Sequence, residues 1–278
     1  MIDGFARSRL ETLIRENRFT IAVVFPTIGA ITLVLSSESV LPDILAFNAL
    51  LLLFGTLVMR SPLLVGAAPV LTKGGLVLVG LMCLYTYAIE IIGVATGMPY
   101  GEFAYGVELG PMLFGVPLAL PLFFIPLVAN AYLLTLLVFP SWSSIRYFRI
   151  FMALIFVLGI DFVLDPAAVA IGFWSYDGGG WYYGVPASNY AGWVLSGTIV
   201  LVLLDFAIDL EAVRTRLDEC EFFLDDFVSF TLLWGVINLI YVQWVPVILA
   251  VAGLLLLILV WPPTTDMIRH HYRGIPSR

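Results

Sequence analysis

The stretch YFRIFMALIFVLGIDFVLDPAAVAIG, residues 147–172, is apolar enough to fill a bilayer and yet holds two aspartates, Asp161 and Asp165. A membrane span needs about 20 mostly apolar residues, and this run exceeds that length. A charged carboxylate at the centre of a membrane helix costs roughly 2.5–3.5 kcal/mol on insertion scales, so acids found there face internal cavities and mark function. The segment thus decides the class of fold and where to look for chemistry.

The rest of the chain agrees. Of its 278 residues 61% are hydrophobic and 12% charged, with a mean hydropathy of +1.03. No soluble domain of this size can bury so much apolar surface. Eight runs qualify as spans: 19–36, 41–59, 75–95, 113–139, 148–172, 191–210, 222–242 and 244–262. The expected fold is all-α, a polytopic integral membrane bundle of about eight helices forming one domain over residues 1–278, multi-pass in the cell membrane. The last two runs meet at Gln243, with Pro246 opening the final one, and read as a tight hairpin. The leader MIDGFARSRLETLIRENRFT lacks a small-residue cleavage site before its long apolar run, so it reads as a cytoplasmic lead into a retained helix.

Basic residues set the orientation. With the N-terminus inside, the inner segments are the leader, 60–74, 140–147, 211–221 and the tail. They hold Arg7, Arg9, Arg15, Arg18, Arg60, Lys73, Arg146, Arg214, Arg216, Arg269, Arg273 and Arg278, and Arg149 stands at the inner mouth of the fifth run. All 13 basic residues fall on one side, which places both termini in the cytoplasm. The formal charge is −7, and twelve arginines accompany one lysine, Lys73. Arginine is more weakly hydrated than lysine, and an acidic, lysine-poor chain suits a salt-rich host; it does not suit a nucleic-acid partner. Cys83 lies in a span and Cys220 in an inner loop, which argues against a disulfide, and their spacing fits no metal site.

Two outer loops are long: GMPYGEFAYGVELGPMLFGVP (97–117) and GFWSYDGGGWYYGVP (172–186). Both are rich in glycine and aromatic rings and end in Gly-Val-Pro before the next helix, where proline is well placed. Each follows a carboxylate within a span, Glu90 before the first and Asp161 before the second. This pattern suggests a parallel repeat, 75–139 and 148–210, whose halves wall one outward-facing pocket; the plainer account is that glycine and tryptophan favour membrane interfaces.

Asp161 and Asp165 share a helix face, since side chains four apart are neighbours. Pro166 frees a backbone carbonyl one turn below, which can bind water or a polar side chain. The alternative for the pair is a polar link between helices. Glu90 stands near the outer end of its helix, at the depth of Asp165, where it could share the same cavity; the alternative is an interfacial residue reaching the headgroups. For Asp205, Asp209, Asp225 and Asp226 a structural role suffices: a solvated helix end, an arginine partner or favourable charge at a helix N-terminus. Asn189 could orient a carboxyl group or a water, and Asn130 an interhelical hydrogen bond.

Burial disfavours the charged form of a carboxyl group and makes it a usable general acid. Aromatic faces beside it can stabilise a carbocation, and Trp174, Trp181, Tyr182, Tyr183, Tyr190, Trp193, Tyr100 and Tyr105 lie in the loops or just beyond them. The chain has no phosphate-binding glycine loop, dinucleotide fingerprint, histidine-rich diiron motif or aspartate-rich diphosphate motif. Cofactor-free acid chemistry on an apolar alkene is the reading these residues support.

Four stretches carry a resemblance: E-x-x-G-x-x-x-G-x-P-Y-G-x-F-x-Y (Glu90 to Tyr105), L-G-P…G-V-P (Leu109 to Pro117), D-x-x-x-D-P (Asp161 to Pro166) and Y-G-V-P-x-x-N-Y-x-G-W (Tyr183 to Trp193). In these the chain resembles the membrane carotenoid hydratases of the CruF type, over roughly residues 75–195. The resemblance implies addition of water to the linear end groups of a carotenoid embedded in the lipid bilayer, with no cofactor. The acidic, arginine-rich composition leans toward the haloarchaeal branch, whose substrate is bisanhydrobacterioruberin and whose product is bacterioruberin. Association with other enzymes of that pathway is a further expectation.

The site expected from these readings has Asp161 or Asp165 as proton donor, the other polarising it or binding water, and Glu90 as the partner on the second wall. Trp174, Tyr183, Trp193, Tyr100 and Tyr105 would line the substrate, and Asn189 would orient a carboxyl or the water. Two rivals stand beside it. A membrane lycopene cyclase also begins by protonating an alkene, but adds no mass. A proton-coupled transporter would need a polar path to the cytoplasm, whereas the polar residues lie in the outer half. A retinal protein would need a lysine in mid-membrane, and Lys73 sits at a helix mouth.

Overall fold

The computed structural model describes residues 4–42, 45, 47–107 and 110–273. The chain ends expected in the cytoplasm and Leu109 of the L-G-P motif lie outside them. A helix α1 (Gly4–Glu16) precedes a π turn (Thr20–Val24) that runs into α2 (Phe25–Ser37). Then follow α3 (Ala49–Ala67) and α4 (Lys73–Thr96), the strands β1 (Phe103–Tyr105), β2 (Met112–Leu113) and β3 (Val116–Pro117), then α5 (Leu120–Val138) and α6 (Arg146–Ala170). β4 (Trp174–Tyr176) leads to α7 (Ala187–Ala207), α8 (Leu210–Glu219), α9 (Asp225–Ile240), α10 (Trp244–Val260) and α11 (Pro262–Arg273).

This is the expected all-α, polytopic membrane bundle, with a different division of its apolar runs. Among the described residues six segments are long and apolar enough to cross a bilayer: Thr20–Ser37, Ala49–Val70, Lys73–Thr96, Leu120–Val138, Arg146–Ala170 and Ala187–Ala207. Trp244–Val260 and Pro262–Ile268, bent by 102° at Trp261, make a seventh candidate. The run expected over 222–242 is helical only from Asp225 for 16 residues, because 221–224 form a turn. The run expected over 41–59 is displaced: α3 starts where Asn48 caps it, accepting from Leu50 N and Leu51 N at 3.0 and 3.2 Å, and continues to Ala67.

That displacement moves Arg60 from an inner loop into a helix. Its guanidinium is buried, with Nη1 2.9 Å from both carboxylate oxygens of Asp226, and Asn130 Nδ2 donates to the same carboxylate at 2.5 Å. Asp226 and its neighbour Asp225 do open α9, but each is fully buried and faces an arginine from earlier in the chain. Arg18 grips Asp225 through Nε at 2.7 Å and Nη2 at 2.8 Å. A buried charge is tolerable only when paired in this way. At the end of the bundle away from the long loops, Asp205 similarly takes Arg149 at 2.6 Å, Arg146 at 2.8 Å and the Tyr132 hydroxyl at 2.7 Å.

Prolines inside α3, α5 and α6 each withhold an N–H and release the carbonyl four residues earlier. In each case another donor takes it. Ser61 Oγ donates to Val58 O at 2.7 Å, Arg60 Nε to Leu122 O at 3.2 Å, and Tyr182 Oη to Phe162 O at 3.1 Å. The carbonyl that Pro166 frees is thus bound by a tyrosine of the second long loop. Backbone groups at membrane depth need such internal partners.

In the bundle, α5 packs against α6 and α7, α4 against α7, and α9 against α2, α3 and α6. Both long loops lie at one end. There β1 and β4 pair antiparallel, with Phe103 opposite Tyr176, Ala104 opposite Ser175 and Tyr105 opposite Trp174. The pairing needs Gly106: a Cβ there would lie 2.2 Å from Gly172 O, and its N–H donates to Phe173 O at 2.9 Å.

Candidate active site

Side chains alternate across a strand, so Phe103 and Tyr105 of β1 share a face with Trp174 and Tyr176 of β4. The ribbon turns all four rings, two from each loop, onto one cavity. Tyr105 meets Trp174 edge to face with ring centres 6.4 Å apart, and Phe103 meets Tyr176 at 6.0 Å. Such geometry suits the ring quadrupoles. α5 and α7 supply a stacked pair, Phe124 on Trp193 at 4.5 Å, and α9 adds Phe230 and Trp234.

Carboxyl groups stand on two walls. Glu90, near the C-terminal end of α4, accepts the Tyr105 hydroxyl at 2.5 Å. Asp165, on α6, lies in the lining and is 3.5 Å from the Tyr176 hydroxyl. Burial pushes the Tyr105 and Tyr176 hydroxyls well above the usual tyrosine range, helped by the neighbouring acids, so both remain donors.

Asp161 sits one turn behind Asp165, wholly buried and outside the lining. Asn189, in the first turn of α7, donates Nδ2 to Asp161 Oδ2 at 3.3 Å and to Asp165 Oδ2. One amide thus joins the two aspartates. Asp161 Oδ1 and Trp174 Nε1 are buried without a protein partner among the described residues. Buried polar atoms of this kind call for water or a ligand.

Seven of the nine residues expected at the site line the cavity: Asp165, Glu90, Trp174, Asn189, Trp193, Tyr100 and Tyr105. Asp161 is outside the lining and is linked to it through Asn189. Tyr183 does not line it; it packs in a separate cluster with Tyr182, Val185 and Tyr190, and its hydroxyl accepts from Val245 N at 3.3 Å. A left-handed backbone at Tyr183 (φ 51°) turns it away. Reading the sequence passed over Tyr176 and Phe103. The clue was spacing: each stands two residues from a chosen ring, so one strand face carries both. Phe124, Phe230 and Trp234 gave no local signal, because apolar residues in apolar helices look alike until packed.

Comparison with known proteins bears on this geometry. The chain matches the family model for carotenoid biosynthesis proteins over residues 47–258. It is 53% identical over 255 residues to the bisanhydrobacterioruberin hydratase of Haloarcula japonica, an alignment covering 90% of this chain and 86% of that relative. No solved structure matches. A family model spanning every wall of the aromatic cavity, and a relative aligned over nine-tenths of the chain, place this protein in the carotenoid biosynthesis protein family.

Proposed function

We propose that the protein is a carotenoid hydratase, adding water across the terminal isopropylidene double bond of a linear carotenoid end group and so converting bisanhydrobacterioruberin to bacterioruberin in the cell membrane. The observation that carries this reading is the pair of carboxyl-bearing walls, Asp165 with Tyr176 and Glu90 with Tyr105, facing each other across one aromatic cavity. The identity to the Haloarcula enzyme supports the choice of substrate.

In the proposed reaction the alkene π electrons take the proton of Asp165. A C–H bond forms at the less substituted carbon and a tertiary cation at the other. Asp165 is preferred to Asp161 as donor because it lines the cavity; Asp161, behind Asn189, polarises it. The faces of Trp174, Trp193 and Phe124 attract the cation. Water then attacks it, and its proton passes to Glu90, whose other partner is the Tyr105 hydroxyl. One water is added and no electrons are transferred, so the balance needs no redox cofactor and the enzyme is a hydro-lyase. Return of the proton to Asp165 completes the cycle.

The test is the mass of carotenoids from a host that accumulates bisanhydrobacterioruberin, with and without this gene. A gain of water at one or both ends is expected. Unchanged mass with an altered absorption spectrum would replace the hydratase by a cyclase, and unchanged carotenoid with the protein present in the membrane would end the proposal.

A further inference from the structure

A second, larger space opens between α2 and α3, with α9 as its floor. Its walls are almost wholly apolar, and the side chains along its rim face outward: Ile28 is 59% exposed, Leu51 50% and Phe54 60%. In a bilayer that rim meets lipid. Gly29 and Gly55 lie in the facing walls and keep the groove open; a Cβ at Gly55 would meet only the Phe25 ring, at 3.7 Å.

The groove is continuous with the candidate active site. Phe123, Phe173, Phe230 and Trp234 line both spaces. At the junction Phe47 holds a left-handed backbone (φ 46°) and sets its ring edge against Phe173, with centres 5.6 Å apart. A bulky residue rarely adopts that conformation and keeps it only where the surroundings demand it. The cavity with the carboxyl groups is the smaller of the two. It takes one end of a long isoprenoid and leaves the remainder to lie elsewhere.

We infer that the groove between α2 and α3 holds the polyene chain of the substrate, which reaches the carboxyl groups sideways from the bilayer past Phe47 and Phe173. This inference rests on the hydratase reading for the identity of the chain. The groove then selects long, straight, apolar chains, while the aromatic cavity selects the end group.

Two measurements test it in membranes of a host that accumulates bisanhydrobacterioruberin. A benzophenone amino acid replaces Leu51, in the groove, or Leu84, 67% exposed on α4 outside both spaces. Irradiation should give a polyene adduct at position 51 and only lipid adducts at 84. Gly55→Leu, which fills the groove from a helical position where leucine is at home, should raise KM for the polyene roughly tenfold with kcat preserved. Gly55→Ala should do so by less. Lipid adducts alone at both positions, or an unchanged KM in Gly55→Leu, would overturn the inference. The outcomes separate it from the proposed chemistry. A polyene adduct at 51 without water addition keeps the groove and removes the hydratase; water addition with no adduct at 51 does the reverse.

Discussion

Tyr105 donates its hydroxyl to Oε1 of Glu90 across 2.5 Å, tying the first long loop to the end of α4. The bond fixes the carboxyl group relative to the ribbon and leaves its other oxygen for a substrate or a water. Tyr105→Phe keeps the ring against Trp174 and deletes the bond. Hydrogen bonds to charged groups are worth about 1.5–3 kcal/mol, and each 1.36 kcal/mol is tenfold in rate. Conversion by Tyr105→Phe in membranes should fall about 10–100-fold in kcat with little change in KM. An unaltered kcat would remove Glu90 from the chemistry.

The two aspartates should separate. Positioned acid–base groups contribute about 10²–10⁴-fold. Asp165→Asn should lose that much, because an amide in the lining has no acidic proton to give. Asp161→Asn should lose less, since its influence passes through Asn189, and Asn189→Ala should resemble Asp161→Asn more closely than Asp165→Asn. Kinetics of the three variants on one substrate decide the matter; near-full activity in both aspartate variants would show that the proton comes from elsewhere.

The Arg60–Asp226 pair is a matter of stability. Removing one partner of a buried ion pair leaves the other uncompensated at roughly 3–5 kcal/mol, whereas replacing both by apolar residues is often neutral. Arg60→Met should therefore lower the melting temperature in detergent sharply. Arg60→Met with Asp226→Leu should recover most of it, less the bond from Asn130. A double variant as unstable as the single one would mean that packing, not charge, is what Arg60 supplies.

How much of this was legible beforehand follows the range of the interactions. Apolar runs and the acids within them are local facts, so the bundle, Glu90, Asp161 and Asp165 could be read directly. The bond from Asn189 to both aspartates was half legible, because the residue type and its place after Gly-Val-Pro suggested an orienting role. Arg60 was misplaced because a basic residue normally ends a span, and the acid that neutralises it lies 166 positions away. Asp225 and Asp226 look like helix-end charges in the sequence for the same reason. Strands of three residues between glycines leave too short a pattern to recognise, so the ribbon that orders the site was hidden, and Tyr176 with it.

That ribbon depends on a close approach at Gly106, and this yields a prediction that sets activity apart from stability. A Cβ at Gly106 would lie 2.2 Å from Gly172 O, which is backbone and cannot swing aside. Gly106→Ala must lengthen the bond from Gly106 N to Phe173 O and spread β1 from β4. Tyr105 and Tyr176 then shift relative to the carboxyl groups on α4 and α6. The ribbon is only three residue pairs long, and most of the buried core lies between the helices, so the melting temperature should change far less than the rate. Misplacing catalytic groups by about 1 Å can cost on the order of 10²-fold, and the hydration rate should fall by about that factor. Gly80, where a Cβ meets no atom within 4 Å, provides the comparison, and Gly80→Ala should leave the rate unchanged. If Gly106→Ala were as active as Gly80→Ala, the pairing of the two loops would be incidental to the chemistry, and the aromatic face they share would have to be assembled by the helices alone.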